Sequence, residues 1–276
     1  MRFGLVAIAA SVASILFSPS FAEPQLAPPA EMIEIPVRPL PFVLQGFLRH
    51  PERSGRFPAV VLLPTCGKVT KELDDNWGAT ISSWGYVTLT IDGLDTRGIK
   101  DCGTIKNTDH TDLVDDAYRA LDFLARKRFV DLKRTAIVGF GVGAWQTLSA
   151  VEPGAVQRAS EHQFRAAAAF YPPCSSLEGV MTVPTLILVG ARDDWGTADA
   201  CRKMVAHRDD VGISREDLGA SKVQLIVYPD AYVGFDIPSL KKPVNPFGHH
   251  LQYDEAAAHQ SAQALQEFLE SAVGDQ

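Results

Sequence analysis

The chain has 276 residues, of which 46% are hydrophobic, an ordinary fraction for a globular protein. Its formal net charge of −7 argues against nucleic acid or anionic lipid as the main partner. The length suits one domain with a full hydrophobic core.

The first segment predicts a secretory signal peptide. Arg2 gives a positive start, residues 5–17 are mostly apolar, and Ser20 and Ala22 are small residues at the two positions that a signal peptidase reads. A retained anchor is disfavoured, because the apolar run is shorter than the roughly 20 residues that a membrane span needs. We therefore predict cleavage after residue 22 and an exported protein, periplasmic or secreted, with no membrane span after cleavage.

Predicted strands and helices alternate along the rest of the chain. Residues 23–56 are expected to form an extended lead-in and an opening hairpin (34–37 with 42–48), and residues 57–276 the domain itself. Later predicted strands cover 58–64, 85–92, 135–138, 166–171, 184–190 and 223–228, and predicted helices cover 71–84, 112–126, 144–151, 197–207 and 253–273. This alternation favours an α/β fold, a single domain with a mostly parallel sheet flanked by helices and no large lid. Ligands of such sheets bind outside the carboxyl ends of the strands.

Four cysteines in an exported chain predict disulfides, since that compartment is oxidising. There is no C-x-x-C and no close Cys/His pair, so no metal site is expected. The pairing Cys66–Cys102 and Cys174–Cys201 would join loops that meet in the predicted sheet, but the sequence alone leaves the connectivity open.

Residues 139–143 read Gly-Phe-Gly-Val-Gly between a predicted strand and a predicted helix. This is the setting of a nucleophile elbow, in which G-x-S-x-G lifts a serine above the sheet edge. Here Gly141 holds the central position and has no attacking atom. Glycine would relieve the backbone strain of such a turn, typically about 1–3 kcal/mol for a residue with a side chain.

Six stretches, taken together and in order, resemble the dienelactone hydrolase family of α/β-hydrolases, in particular its exported members. The similarity runs from about residue 57 to residue 269, most of the mature chain, and its marks are residues 60–67, 85–98, 134–145, 184–194, 228–236 and 248–256. The resemblance implies a small hydrolase that cleaves esters or lactones with a Cys or Ser, a His and an Asp. No cofactor is expected.

The family's catalytic positions are only partly filled. The nucleophile position is Gly141, and Asp193 matches the carboxylate that orients the histidine. The pattern Y-P-x-A-x-H-x-F falls on residues 228–235 and places Val233 where the histidine would be. Because valine cannot carry a proton, acid–base catalysis at this position is not expected. Without a histidine, Asp193 is predicted to be structural.

The oxyanion loop departs from the family as well. The family tends to show H-G-C-G-G after its strand, whereas residues 64–68 read Pro64, Thr65, Cys66, Gly67 and Lys68. Proline has no N–H to donate to an oxyanion. Together with Phe140, Gly141, Val142 and Val233, residues Pro64, Thr65, Cys66 and Gly67 are predicted to line a pocket.

Other residues could replace the missing groups. Cys66 could attack as a free thiolate, although a disulfide with Cys102 is favoured. His110, His249 and His250 are alternative bases, the last two being expected to cap or pack instead. Ser149 lies two helical turns after the elbow and is expected to face neighbouring structure.

Two arginines and two tryptophans could contact a ligand. Arg97 and Arg192 are in loops at the carboxyl ends of strands, where they could hold an anion, or pair with Asp95 and Asp193. Trp145 and Trp195 could line a pocket or belong to the core.

The sequence therefore predicts an exported dienelactone-hydrolase-like protein that is inactive by the usual triad. Its cleft is expected to bind a small molecule, with an anion as one candidate, or a partner protein of unknown identity. The alternatives are an ester or lactone hydrolase with a relocated nucleophile such as Cys66, and a structural component of an envelope complex.

Overall fold

Eight strands form one sheet in the computed structural model, which describes residues 27–37, 42–67, 69–102, 109–206 and 222–274, with the side chains of 109–112 excluded. The strands are β1 (Glu31–Val37), β2 (Phe42–Arg49), β3 (Phe57–Leu63), β4 (Val87–Asp92), β5 (Val130–Phe140), β6 (Ala166–Phe170), β7 (Thr185–Gly190) and β8 (Val223–Tyr228). Their order in the sheet is β1-β2-β4-β3-β5-β6-β7-β8. The signal peptide predicted for residues 1–22 lies outside the described residues and remains a prediction.

The sheet is antiparallel only at its first edge. β1 pairs antiparallel with β2, and β2 pairs antiparallel with β4; every later pairing is parallel. The predicted opening hairpin is thus present. All residues of β3 and β6 are buried, as expected for strands covered on both faces.

Helices cover both faces of the sheet. They are α1 (Thr70–Leu73), α2 (Ala79–Ser83), α3 (Asp109–Ala125), α4 (Val142–Val151), α5 (Ala155–Ala159), α6 (Ala198–Val205) and α7 (Glu255–Val273). One core cluster joins α3, α4 and α6 to the first face, and a second joins α1, α2 and α7 to the other. Among the described residues, no helix combines the length and hydropathy needed to cross a membrane. The predicted single α/β domain is confirmed.

The predicted helix over residues 71–84 is divided by a π-helical turn. α1 and α2 are joined by Asp74–Gly78, whose Asp74 is fully buried and accepts hydrogen bonds from Arg49 at 2.7 and 3.0 Å and from the Thr90 hydroxyl at 3.1 Å. Gly78 packs directly on this carboxylate, because a Cβ there would lie 2.5 Å from Asp74 Oδ1. This network fixes the turn against the sheet.

Candidate functional site

The strand β5 leads into α4 through a sharp turn at Gly141. Gly141 has φ 57° and ψ −114°, a backbone conformation that residues with a side chain rarely adopt. A Cβ on Gly139 would collide with the Gly143 backbone, and a Cβ on Gly143 would collide with the Leu63 carbonyl. The outer glycines are therefore required by close packing of the turn, which has the shape of a nucleophile elbow.

Thr65 lies over the centre of this turn. A Cβ on Gly141 would lie 2.7 Å from Thr65 Oγ1 and 3.1 Å from Thr65 Cβ. The Thr65 hydroxyl donates a long hydrogen bond to Cys102 Sγ at 3.8 Å, since a disulfide sulfur carries no proton. The space above Gly141 is thus partly occupied by a side chain from the loop after β3.

Asp193 is buried in the loop after β7, with 4% of its surface exposed. Its Oδ1 accepts hydrogen bonds from the backbone N–H groups of Trp195 and Gly196, both at 2.8 Å. Its Oδ2 is buried and has no hydrogen-bond partner in the part of the chain that the structure describes. Burial raises the pKa of Asp193 to about 6, although the two backbone hydrogen bonds oppose this effect.

Val233 is buried in the loop after β8. It forms a parallel β-bridge with Leu251, and its carbonyl accepts a hydrogen bond from Gln252 N–H at 3.2 Å. The loops of Asp193 and Val233 are neighbours, because Arg192 N–H donates to the Ala231 carbonyl at 3.0 Å. The residues predicted at the acid and histidine positions therefore lie in adjacent loops at one end of the sheet.

A pocket of about 80 Å³ lies over the turn and is called the Gly141 pocket here. It is lined by Thr65, Cys102, Gly141, Val142, Tyr171, Pro173, Trp195, Gly196, Val233, Gly234, Ile237 and Leu251. Most of these side chains are apolar, and none is a lysine or arginine.

A second pocket, the Trp77 pocket, has a volume of about 40 Å³. It is lined by Pro64, Thr65, Val69, Glu72, Leu73, Asn76, Trp77, Phe140, Tyr171, Asp236 and Ile237. Thr65, Tyr171 and Ile237 line both pockets, so the two adjoin. Six of the eight residues predicted to form a pocket line one or both.

Cys66 and Gly67, the other two predicted pocket residues, do not line either pocket. Gly67 lies in an exposed turn with φ 104°. Cys66 packs beside Leu94 and Ile99, and its sulfur is bonded to Cys102. The disulfide nevertheless ties Cys66 to Cys102, which itself lines the Gly141 pocket, so the role of this part of the loop in the cleft stays a prediction.

Both disulfides of the pairing considered from the sequence, Cys66–Cys102 and Cys174–Cys201, are present, with Cα atoms 5.5 and 5.0 Å apart. They account for all four cysteines of the chain. The alternative of a free Cys66 thiolate is therefore contradicted.

The two arginines form ion pairs away from both pockets. Arg97 donates to Asp116 of α3 and, at 2.9 Å, to the Gly93 carbonyl. Arg192 is half exposed, donates to Asp230 at 2.6 Å and lies over the Tyr232 ring. The ion-pair partners are thus Asp116 and Asp230 and not the predicted Asp95 and Asp193, while the anion-binding role stays a prediction.

Two of the candidate histidines, His249 and His250, precede Leu251, which lines the Gly141 pocket, but neither lines the pocket itself. His249 stacks on Trp195 with ring centroids 4.5 Å apart, and its Nδ1 is 3.4 Å from Asp194 Oδ1. His250 packs on Tyr232 and donates its backbone N–H to the Asp194 carboxylate. Both pack as expected, whereas His110 lies among the residues whose side chains are not described.

The tryptophans and Ser149 have different surroundings. Trp195 lines the Gly141 pocket, whereas Trp145 is half-buried and donates its Nε1 hydrogen to Ser176 Oγ at 3.1 Å. Ser149 is half-buried on α4 and lines neither pocket.

Eight of the eleven residues that line the Trp77 pocket were not predicted as pocket residues, among them Trp77, Tyr171 and Asp236. Asp236 is buried, and its Oδ2 accepts a hydrogen bond of 2.7 Å from Trp77 Nε1. Tyr171 is buried directly after β6 with φ 44°, a conformation that is rare for a tyrosine. The available signals were the position of Tyr171 at the end of a buried strand and of Asp236 at the end of a family-like stretch.

Asp236 and Tyr171 affect each other's titration. Burial raises the pKa of Asp236 to about 6, and the hydrogen bond from Trp77 opposes this effect. Burial, followed by the Asp236 carboxylate, raises the pKa of Tyr171 well above its usual value. The residues described contain no cluster of three or more His, Cys, Asp or Glu side chains arranged to hold a metal ion.

Comparison with known proteins supports the fold. The sequence profile of the Dienelactone hydrolase family matches residues 44–273, whereas no curated protein sequence matches significantly. A solved dienelactone hydrolase-like promiscuous phosphotriesterase from metagenomic libraries superposes with a TM-score of 0.71 at 18% identity, covering 90% of this chain and 100% of that chain. A dienelactone hydrolase candidate from Klebsiella pneumoniae gives a TM-score of 0.66 at 17% identity, covering 87% and 97%.

Larger enzymes share the fold as well. Pyrococcus horikoshii acylaminoacyl peptidase gives a TM-score of 0.65 at 13% identity, covering 91% of this chain but 43% of that chain. Likenesses at such low identity establish the α/β-hydrolase fold alone. The family match covers most of the sequence, and the chain belongs to the dienelactone hydrolase family.

Proposed function

We propose that this protein is an exported, non-catalytic member of its family whose cleft binds a small molecule. The observation that carries the proposal is the turn at Gly141. Its backbone has the conformation of a nucleophile elbow, yet the residue offers no nucleophile, and Thr65 occupies part of the space that a side chain would need. A covalent acyl-enzyme step requires an attacking atom at that point.

The surroundings of Asp193 support the same proposal. In a triad the carboxylate accepts a hydrogen bond from the histidine and orients it. Here Oδ2 of Asp193 has no such partner in the described parts of the chain, and the adjacent loop carries Val233. A carboxylate that is buried without this partner costs stability and has no base to orient.

The relocated-nucleophile alternative has little support. The sulfur of Cys66 is in a disulfide, and Thr65 has no adjacent histidine among its described hydrogen bonds. The loop begins with Pro64, which cannot donate a backbone hydrogen bond to an oxyanion.

A binding role is favoured over a purely structural one because the space above the turn is not filled. The Gly141 and Trp77 pockets adjoin and are mainly apolar with a few polar groups, as small-molecule sites are. Both are small, which favours a ligand of few atoms.

The proposal is tested by assaying the purified protein with p-nitrophenyl esters and a panel of lactones. We expect no turnover above a buffer control. Hydrolysis that survives repurification would contradict the proposal, particularly if it persists in the variant Asp193→Asn, because activity would then use another group.

A restoration series locates the missing chemistry. The double variant Gly141→Ser/Val233→His is expected to remain inactive, because Thr65 would crowd the new serine. Adding Thr65→Gly is expected to give measurable esterase activity. Equal activity in the double and triple variants would show that Thr65 is not an obstacle.

Export is part of the proposal and rests on the leader-like first 22 residues and the two disulfides. Expression of the full chain in a bacterial host, followed by fractionation and N-terminal sequencing, tests it. We expect mature protein outside the cytoplasm that begins at residue 23, and retention of the full chain in the cytoplasm would count against export.

A further inference from the structure

The described lining of the Trp77 pocket contains two carboxylates and no basic side chain. Glu72 and Asp236 line it, and none of its lining residues is a lysine, arginine or histidine. In the described structure, neither carboxylate forms an ion pair with a basic side chain. Glu72 accepts a hydrogen bond of 2.7 Å from Ser239 at the rim.

Asp236 is the more buried of the two, with 8% of its surface exposed. Trp77 Nε1 donates to its Oδ2, but its Oδ1 has no hydrogen-bond partner among the residues described. The Tyr171 hydroxyl is close enough to this carboxylate for each group to shift the pKa of the other, but the contact lies outside regular hydrogen-bond geometry, and the hydroxyl has no other partner among the described residues. Buried carboxylates are normally paired with a cation or fully hydrogen-bonded, so this one has unused capacity.

Two backbone irregularities meet at the same pocket. The π-helical turn Asp74–Gly78 supplies Asn76 and Trp77 to the lining, and such turns are frequent at functional sites. Tyr171 is held at φ 44°, a strained backbone conformation that persists only where surrounding structure imposes it. Both features place aromatic rings beside the carboxylate.

We propose that the Trp77 pocket binds a small organic cation, an ammonium group on a short apolar body. The carboxylates of Asp236 and Glu72 would compensate its charge, and the faces of Trp77, Phe140 and Tyr171 would add cation–π attraction and apolar contact. This inference rests on the proposed binding function of the cleft and names the class of ligand. This class differs from the anionic ligand expected from Arg97 and Arg192.

The test compares three probes of nearly equal size: n-butylammonium, n-butanol and butyrate. Binding to the purified, disulfide-intact protein is measured by titration calorimetry and by NMR shifts of the tryptophan Nε1–H signals. We expect saturable binding of n-butylammonium that shifts the Trp77 indole signal, weaker binding of n-butanol and none of butyrate.

Variants assign the binding to this pocket. Asp236→Asn keeps the shape of the side chain and is expected to weaken n-butylammonium binding at least tenfold, and Glu72→Gln at the rim to weaken it several-fold. Asp122→Asn, a change on the exposed side of α3, is the matched control and should leave binding unchanged. If Asp236→Asn does not fold, as judged by circular dichroism and the unfolding midpoint, the Glu72→Gln titration decides.

The outcomes separate this inference from the proposed function. Three results would overturn the inference. They are tighter binding of butyrate or n-butanol than of n-butylammonium, an absence of saturable n-butylammonium binding, and n-butylammonium affinities of Asp236→Asn and Glu72→Gln that both equal the wild-type value. Those results would leave a non-catalytic binding protein intact, whereas ester turnover in the hydrolysis assay would overturn the proposed function without changing the titrations.

Discussion

The two adjoining pockets differ in what they hold. The Gly141 pocket lies where a hydrolase of this fold carries its nucleophile and base, and here it is lined by glycine, valine and a threonine that crowds the turn. The adjoining Trp77 pocket contains two carboxylates, those of Glu72 and Asp236, and shares Tyr171 with the Gly141 pocket. One pocket of a family site can thus lack catalytic polar groups while the adjoining pocket contains a buried carboxylate, whose burial lowers stability. Each pocket must therefore be interpreted from its own contacts.

The largest effect on stability is expected from a substitution in the glycine turn beside the Gly141 pocket. Gly143→Ala should lower the free energy of unfolding by about 3–5 kcal/mol, because the new Cβ would meet backbone atoms of Leu63 and Pro64 that cannot move aside. Chemical denaturation measures it. Gly154→Ala is the control, since its Cβ would make only an ordinary contact at 3.8 Å. A decrease in the free energy of unfolding of less than about 1 kcal/mol in Gly143→Ala would mean that the glycine turn is not tightly packed against the end of β3.

The second prediction concerns the pH dependence that the buried acid imposes. Raising the pKa of Asp193 from 3.8 to about 6 corresponds to roughly 3 kcal/mol. Because the folded pKa is the higher one, this contribution to stability is fully present below pH 3.8 and is lost as the pH rises through about 6.

Denaturation of wild type and Asp193→Asn across this pH range measures the effect. The wild type should lose roughly 3 kcal/mol relative to the variant between the lower and the upper limit. Asp194 and His249 also act on this carboxylate, so the difference between the two proteins is the informative quantity. Parallel pH profiles would show that Asp193 is not buried in the way described.

The smallest effect concerns the space above the turn. Gly141→Ser alone should cost about 1–3 kcal/mol, from strain at φ 57° and from the contact with Thr65. In the background of Thr65→Gly the same change should cost roughly 1 kcal/mol less. Urea denaturation of the four proteins in this double-mutant cycle gives the coupling energy between positions 65 and 141. Additive costs would show that Thr65 does not restrict a side chain at position 141.

Most strands and the glycine turn could be predicted because their sequence signals are local. β8 begins and ends where its apolar pattern does, and the glycine turn follows the buried second half of β5, residues 135–140. α5 was not predicted, since five residues without a clear apolar face give no periodic signal. The alternating pattern brings the cysteine-bearing loops to one edge of the sheet, which made the observed pairing a candidate, although the sequence left the connectivity open.

The contacts of the site were harder to predict because they join distant parts of the chain. Thr65 lies over Gly141 although the two residues belong to different loops. Arg97 forms an ion pair with Asp116 of α3, whereas the sequence suggested Asp95, only two residues away along the chain. The left-handed backbone of Tyr171 has no signal in the sequence, since it is imposed by the surrounding packing. Residue types at the family positions therefore indicated which groups are missing, but not which groups occupy their places.

The two disulfides have a consequence for recognition. Both join loops at the carboxyl ends of the strands: Cys66–Cys102 beside Thr65, and Cys174–Cys201 between the loop after β6 and α6. Covalent bonds at this edge restrict the rearrangements open to the cleft walls. A ligand would therefore meet a preorganised cavity and lose little affinity to the ordering of loops, so that rigidity lets even a small ligand bind selectively.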